Sequence, residues 1–103
     1  MATKYKPSAV QHKCECFICH RNYTAGLEHH HMIPGRQRKS CDDNGLWIWL
    51  CHECHSKLHD KGEHDTEIRA LAQRSFIEQM KKKGYPEAAC KEEWFRIFGK
   101  FYD

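Results

Sequence analysis

Two Cys-x-x-Cys pairs place the strongest constraint on what this chain can fold into. The first pair is Cys16 and Cys19, and the second is Cys51 and Cys54. About thirty residues separate them, a spacing typical of a Cys₄ zinc site. One Cys-x-x-Cys turn holds two sulfurs about 2.3 Å from an ion, and two turns complete the tetrahedron. The spacing therefore predicts a structural Zn²⁺ that joins two distant segments.

The size of the chain makes a structural metal valuable. A domain of 103 residues, of which 40% are hydrophobic and 30% charged, has a marginal core, and metal binding adds folding free energy. Disulfides are the alternative use of the seven cysteines, but that number is odd and the polar start of the sequence lacks a signal-peptide pattern. We therefore expect a reduced, cytoplasmic domain without a membrane-spanning segment.

The first half of the chain divides into a polar arm and two short apolar segments. Residues 1–13 carry several lysines and little apolar content, which predicts a mobile N-terminal arm. We expect one domain over residues 14–103. The segments 27–33 and 46–50 predict two strands, and residues 35–45 between them predict a polar loop that contains a turn.

The second half has helical patterns. Three helices are predicted: from His52 to before Lys61, from an Asp65 N-cap to before Gly84, and from Pro86 to about Phe98. The whole pattern predicts an α+β fold. Its core over residues 16–62 is followed by two C-terminal helices within residues 65–103.

Histidines near the cysteine pairs predict a second metal site. His55 and His59 lie four residues apart, on one face of the predicted helix, where two imidazoles can bind one ion. A third ligand would come from the run His29-His30-His31 on the facing strand. Solvent-exposed histidines on a polar surface are the alternative, but the paired spacing beside a histidine-rich strand favours metal binding.

The order of these motifs resembles that of the HNH endonucleases. The resemblance covers residues 16–59: the first cysteine pair, a histidine pair followed by Ile33 and Pro34, and the run Leu-Cys-x-x-Cys-His-x-x-x-His. Residues 94–102 also look like the end of small stand-alone HNH proteins of phages and prophages. The resemblance implies a ββα-metal fold, in which two short strands, a loop and a helix surround one divalent ion, in a bacterial host cell.

By position, the resemblance implies roles for individual residues. His31, three residues before Pro34, takes the place of the general base, and Asn44 takes that of the residue that orients it. The implied ligands of the catalytic metal are His30, His55 and His59.

Two alternatives remain open at this point. Strand alternation places His29 and His31 on the same side, so His29 is the other candidate for the first ligand. A glycine separates Asn44 from the second strand, and the segment is equally well explained as a simple turn.

The resemblance implies an enzyme that nicks or cuts DNA by phosphodiester hydrolysis, leaving 5′-phosphate and 3′-hydroxyl ends. A neutral His31 would accept a proton from the attacking water, and Mg²⁺, Mn²⁺, Ni²⁺ or Zn²⁺ would stabilise the developing charge. Arg36, Arg38 and Lys39 are candidates for binding flanking phosphates with weak sequence specificity. A solvated charged loop explains these three residues equally well.

Two further functions fit the sequence. The first is a catalytically inactive, zinc-stabilised nucleic-acid-binding module of a phage or prophage, which would bind DNA without cutting it. The second is a module that binds a phage protein and has no affinity for DNA. The aromatic residues within 94–102 predict core packing or a homodimer contact rather than base stacking.

Overall fold

The sheet consists of two antiparallel strands. The computed structural model describes residues 5–22 and 26–103. Strands β1 (Leu27–His31) and β2 (Trp47–Cys51) pair in a register that sets His30 opposite Ile48. Aromatic and β-branched side chains favour extended backbone in β2, where four of the five residues are buried. The sheet thus buries one strand and presents histidines on the other.

The described residues also form four α-helices, which confirms the predicted α+β class. They are α1 (Arg38–Asn44), α2 (His52–Lys61), α3 (Asp65–Lys82) and α4 (Glu87–Phe98). Asp65 is the first residue of α3 rather than its N-cap, and His64 takes the cap position. Within the described residues, no helix is both long and apolar enough to cross a membrane.

The polar segment between the strands is largely helical, where the sequence predicted a loop over residues 35–45. A 3₁₀ turn at Gly35–Gln37 leads into α1. Gly45 has a left-handed φ of 68°, and its amide donates to carbonyls of the last turn, so the Asp-Asn-Gly signal ends a helix instead of forming a turn within a loop. Cys41 is the residue that α1 buries in the core.

Helices α3 and α4 pack against each other and close the core. Trp94 is fully buried, with its ring near those of Phe76 and Phe98. The indole Nε1 of Trp94 donates to the carbonyl of Lys100 at 2.8 Å, which holds the chain end over α4. Trp94 and Phe98 are therefore packed in the core, as expected for aromatic residues of the C-terminal segment.

Residues 5–11 lie along the outer edge of β2, although the sequence predicted a mobile arm over residues 1–13. The hydroxyl of Ser8 donates to the carbonyl of Trp47 at 2.7 Å, and the Trp47 indole donates to the carbonyl of Lys6 at 2.7 Å. The amide of Ala9 donates to Gly45 at 2.8 Å. These bonds satisfy backbone groups that an uncovered strand edge would expose. Residues 1–4 lie outside the described part of the chain.

Replacing Gly45 by alanine tests this packing. An alanine Cβ would overlap the carbonyl oxygen of Pro7 in addition to straining the left-handed backbone. Gly62→Ala is the matched control, because its φ of 69° is within a degree of that of Gly45 but its Cβ would meet nothing within 4 Å.

We expect Gly45→Ala to lower the free energy of unfolding by about 1–3 kcal/mol more than Gly62→Ala does. Urea denaturation of the zinc-loaded variants measures the difference. Equal losses would show that residues 5–9 do not pack on α1 and β2.

Candidate metal centres

Four cysteine thiols meet at one point beside the sheet. The sulfurs of Cys16, Cys19, Cys51 and Cys54 all lie within 4.8 Å of one another. The sulfurs of Cys19 and Cys51 are 3.9 Å apart. A tetrahedral site with bonds of about 2.3 Å has edges of roughly 3.8 Å, whereas a disulfide would bring sulfurs to about 2.05 Å. The group could hold a structural metal such as zinc.

Local backbone structure presents the two cysteine pairs to each other. In the first pair, the amide of Cys16 donates to Arg21 and the amide of Phe17 donates to the Trp49 carbonyl, which fixes the turn against β2. The second pair spans the junction of β2 and α2, where the Cys51 sulfur accepts from the amide of Cys54. The cluster therefore ties the N-terminal turn to the point where strand becomes helix.

Without a cation, the thiols of Cys16 and Cys54 do not ionise together. Although burial opposes ionisation of Cys16, backbone amides that point at its sulfur lower its pKa to about 6. Burial and the neighbouring Cys51 and Cys16 sulfurs raise the pKa of Cys54 above its ordinary value. A divalent cation removes this conflict because it stabilises all four thiolates at once.

Three imidazoles, two from α2 and one from β1, form a second group. Nε2 of His55 lies 3.2 Å from Nδ1 of His30 and 2.9 Å from Nε2 of His59. A tetrahedral ion with bonds of about 2.1 Å has edges of roughly 3.4 Å, so this nitrogen set fits one small divalent ion. His30, not His29, is the β1 histidine that lies with the α2 pair.

Burial keeps His30 in the form that can bind a metal. Desolvation, followed by the nearby His55 and His59, lowers the pKa of His30 to about 4. The ring is therefore neutral at physiological pH and keeps a lone pair. Histidine ligands must be deprotonated in this way before a metal can bind.

Glu28 orients His55 within this group. Nδ1 of His55 lies 2.6 Å from a Glu28 carboxylate oxygen. Because a carboxylate only accepts, Nδ1 carries the proton and the lone pair of Nε2 faces His30 and His59. Hydrogen bonds from His55 and then His52 lower the pKa of Glu28. The sequence did not indicate a role for Glu28, although strand alternation puts it on the same face of β1 as His30.

Asp42, not Asn44, is the residue that contacts His31. Nε2 of His31 lies 3.0 Å from Oδ1 of Asp42. The Asn44 amide instead donates to the carbonyl of Ser40 at 2.8 Å, so it does not meet the expectation that it orients His31. The physical reason is α1: a helix turns Asp42 towards β1 and leaves Asn44 at the helix end. Because the sequence predicted a loop over residues 35–45, it did not indicate that Asp42 would contact His31.

His29 shares the same carboxylate oxygen. Its Nε2 lies 2.9 Å from Oδ1 of Asp42. Burial opposes ionisation of Asp42, but the bonds from His29 and His31 outweigh it and lower the pKa of that carboxyl. Asp42 therefore stays ionised while it accepts from two imidazoles.

The histidines open into one shallow cavity of about 280 Å³. It is lined by His29, His30, His31, Pro34, Gly35, Arg38, His55 and His59. Of the three basic residues expected to bind phosphates, only Arg38 lines this cavity. Lys39 forms a 2.8 Å ion pair with Asp43, and Arg36 is exposed nearby. The cavity thus combines imidazoles with one guanidinium at its edge.

Comparisons with known proteins identify no relative. A scan against protein-family models, a search of curated proteins and a search of solved structures each found no match to this chain. The described residues define a small α+β domain with a four-cysteine group that could hold a structural metal such as zinc.

Removal of one thiol tests the four-cysteine group. Cys54→Ser should lower bound zinc by one ion per chain and lower the melting temperature, because the junction of β2 and α2 loses its connection to the N-terminal turn. Cys14→Ser is the matched control, since Cys14 is an exposed thiol outside the group. Elemental analysis and circular dichroism give the two readouts. Equal zinc content in both variants would contradict the assignment.

Proposed function

We propose that this protein is a metal-dependent endonuclease of the HNH type that hydrolyses DNA phosphodiester bonds. The observation that carries the proposal is the convergence of three imidazoles beside a fourth, His31, in one open cavity. The resemblance of residues 16–59 to the HNH motifs supports the same activity. We place the protein in the cytoplasm of a bacterial host, as a phage or prophage product.

His30, His55 and His59 would hold the catalytic ion. A bound divalent cation stabilises negative charge on the phosphate and on the leaving oxygen. Three protein ligands leave coordination positions for substrate and water, as catalytic sites require. Glu28 contributes by fixing the proton of His55 on the nitrogen that faces away from the group.

His31 would act as the general base. Its Nε2 must carry the ring proton because it donates to the Asp42 carboxylate, and Nδ1 therefore keeps the lone pair. A neutral imidazole can accept a proton from an attacking water. Asp42 positions the ring and stabilises the imidazolium that forms. The base His31 and the metal ligand His30 are consecutive residues of β1, and both line the same cavity as His55 and His59 of α2.

Arg38 would bind the substrate phosphate. It is exposed at the cavity edge, and a guanidinium can donate two parallel hydrogen bonds to phosphate oxygens. Arg36 and Lys39 would add weaker backbone contacts. Recognition through phosphates gives little sequence preference and a strong dependence on salt.

Cleavage of supercoiled plasmid tests the proposal. Wild type that carries one equivalent of Zn²⁺ should nick plasmid when Mg²⁺, Mn²⁺ or Ni²⁺ is added and should lose activity in EDTA. His31→Ala should reduce the rate by about 10²–10⁴-fold, the usual contribution of a general base. His12→Ala, at an exposed histidine away from the cavity, is the control.

No cleavage by folded wild type with any of these ions would contradict the nuclease. Retained DNA binding in that case would favour the nucleic-acid-binding module. Absence of DNA binding, together with capture of a phage protein, would favour the protein-interaction module.

Glu28→Gln separates metal positioning from folding. The amide cannot hold the His55 proton as the carboxylate does, so affinity for the ion in the three-histidine group should fall by roughly 10–100-fold. Glu53→Gln is the control, because Glu53 is an exposed residue of α2 that pairs only weakly with Lys57. Isothermal titration with Ni²⁺ of protein that carries one equivalent of Zn²⁺, enough for the thiol group alone, measures the affinity. An unchanged affinity would refute the role of Glu28.

A further inference from the structure

A third group of metal-ligating atoms lies on the opposite face of β1 from His30. His29 and His31 point to the same side of the strand, and Asp42 meets them from α1. One nitrogen from each imidazole and one carboxylate oxygen lie within 4.8 Å of one another. This group shares no residue with the thiols or with the three imidazoles on α2.

We propose that His29, His31 and Asp42 form a further binding site for a divalent cation of the zinc, cobalt and nickel class. The donor set is two imidazoles and one carboxylate, which together suit these ions. The other coordination positions of the ion would be taken by water from the cavity.

The distances within the group match a coordination sphere. The two Nε2 atoms lie 2.9 Å and 3.0 Å from the same Asp42 oxygen. Cis ligands at about 2.1 Å from an octahedral ion are roughly 3.0 Å apart. Around a tetrahedral ion the corresponding separation is roughly 3.4 Å, so an ion can replace the two hydrogen bonds if the three side chains move apart by a few tenths of an ångström.

Charge and rigidity also favour a cation here. Among residues 5–22 and 26–103, Asp42 forms ion pairs with these two imidazoles and with no lysine or arginine. The carboxylate is only about one-fifth exposed, so water compensates its charge incompletely. The His29 ring packs against those of Tyr5 and Trp47: each of their centroids lies 4.4 Å from that of His29, and they lie 4.8 Å from each other. Fixed ligands lose little entropy on binding.

Occupancy of this site would switch off the general base, a consequence that rests on the proposed function. A neutral imidazole has one ring proton. When a cation takes Nε2 of His31, that proton moves to Nδ1, which then has no lone pair to accept a proton from water. The same Zn²⁺ that stabilises the thiol group would therefore inhibit hydrolysis when its free concentration is high.

Counting bound Zn²⁺ tests the site without reference to activity. Wild type should bind one ion for each of the three groups, and Asp42→Asn and His29→Gln should each bind one fewer. Asparagine still accepts from both imidazoles, which favours retention of the fold, and circular dichroism checks it. Asp43→Asn is the control, since its carboxylate faces Lys39 instead. His59→Ala should lose the ion of the three-imidazole group instead. The double variant His59→Ala/Asp42→Asn should therefore bind two fewer ions than wild type.

Two results would overturn the site: a wild type that binds only two ions, or folded Asp42→Asn and His29→Gln variants that both keep the third. In both Asp42→Asn and His29→Gln, the affinity of this site for Zn²⁺ should fall by at least about tenfold.

Zinc inhibition of cleavage separates this proposal from the nuclease. Each variant is compared with its own rate at low free Zn²⁺. Zn²⁺ should inhibit wild type and Asp43→Asn, and His29→Gln should need at least about tenfold more Zn²⁺ for the same inhibition. This result would support the regulatory role. Equal inhibition in these proteins overturns that role while leaving the nuclease intact. A third ion that binds a protein with no cleavage at all would support the site and refute the nuclease.

Discussion

The meeting of four thiols at the junction of β2 and α2 is the interaction on which the rest of this small domain depends. It joins the turn around Cys16 to a strand and a helix that begin more than thirty positions later. A two-stranded sheet with a short helix is marginal by itself in water. A metal held by these sulfurs would supply the missing stability. It would also determine where α2 lies relative to β1.

The position of α2 then determines the histidine chemistry. Cys51 and Cys54 flank the start of this ten-residue helix, and His55 and His59 continue along it. An isolated helix of this length is unstable, so its direction comes from tertiary bonds at its start. Because β1 pairs with β2, His30 and Glu28 face the helix and His31 faces α1. Alternation along one strand thus separates His30, the proposed metal ligand, from His31, the proposed base.

Local spacing allowed the sequence to predict part of this arrangement. The Cys-x-x-Cys pairs and the i, i+4 histidines are defined within single turns, so their grouping follows from the sequence. The contacts of Asp42 and Glu28 could not be predicted in the same way, because they depend on which faces of β1 meet α1 and α2. The packing of residues 5–11 against β2 could not be predicted for a related reason. Its residues bond to a strand edge about forty positions away, and composition does not show such pairing.

Titration of the metal-free protein with Co²⁺ tests the central claim most directly. If the thiol group organises the fold, thiolate-to-cobalt charge-transfer absorption and helical circular dichroism should both saturate at one equivalent. Later equivalents should then add only the weaker bands of nitrogen and oxygen ligands, and His59→Ala should remove one such phase. A chain that is fully folded before Co²⁺ is added, or a first equivalent that binds without charge-transfer absorption, would contradict the account.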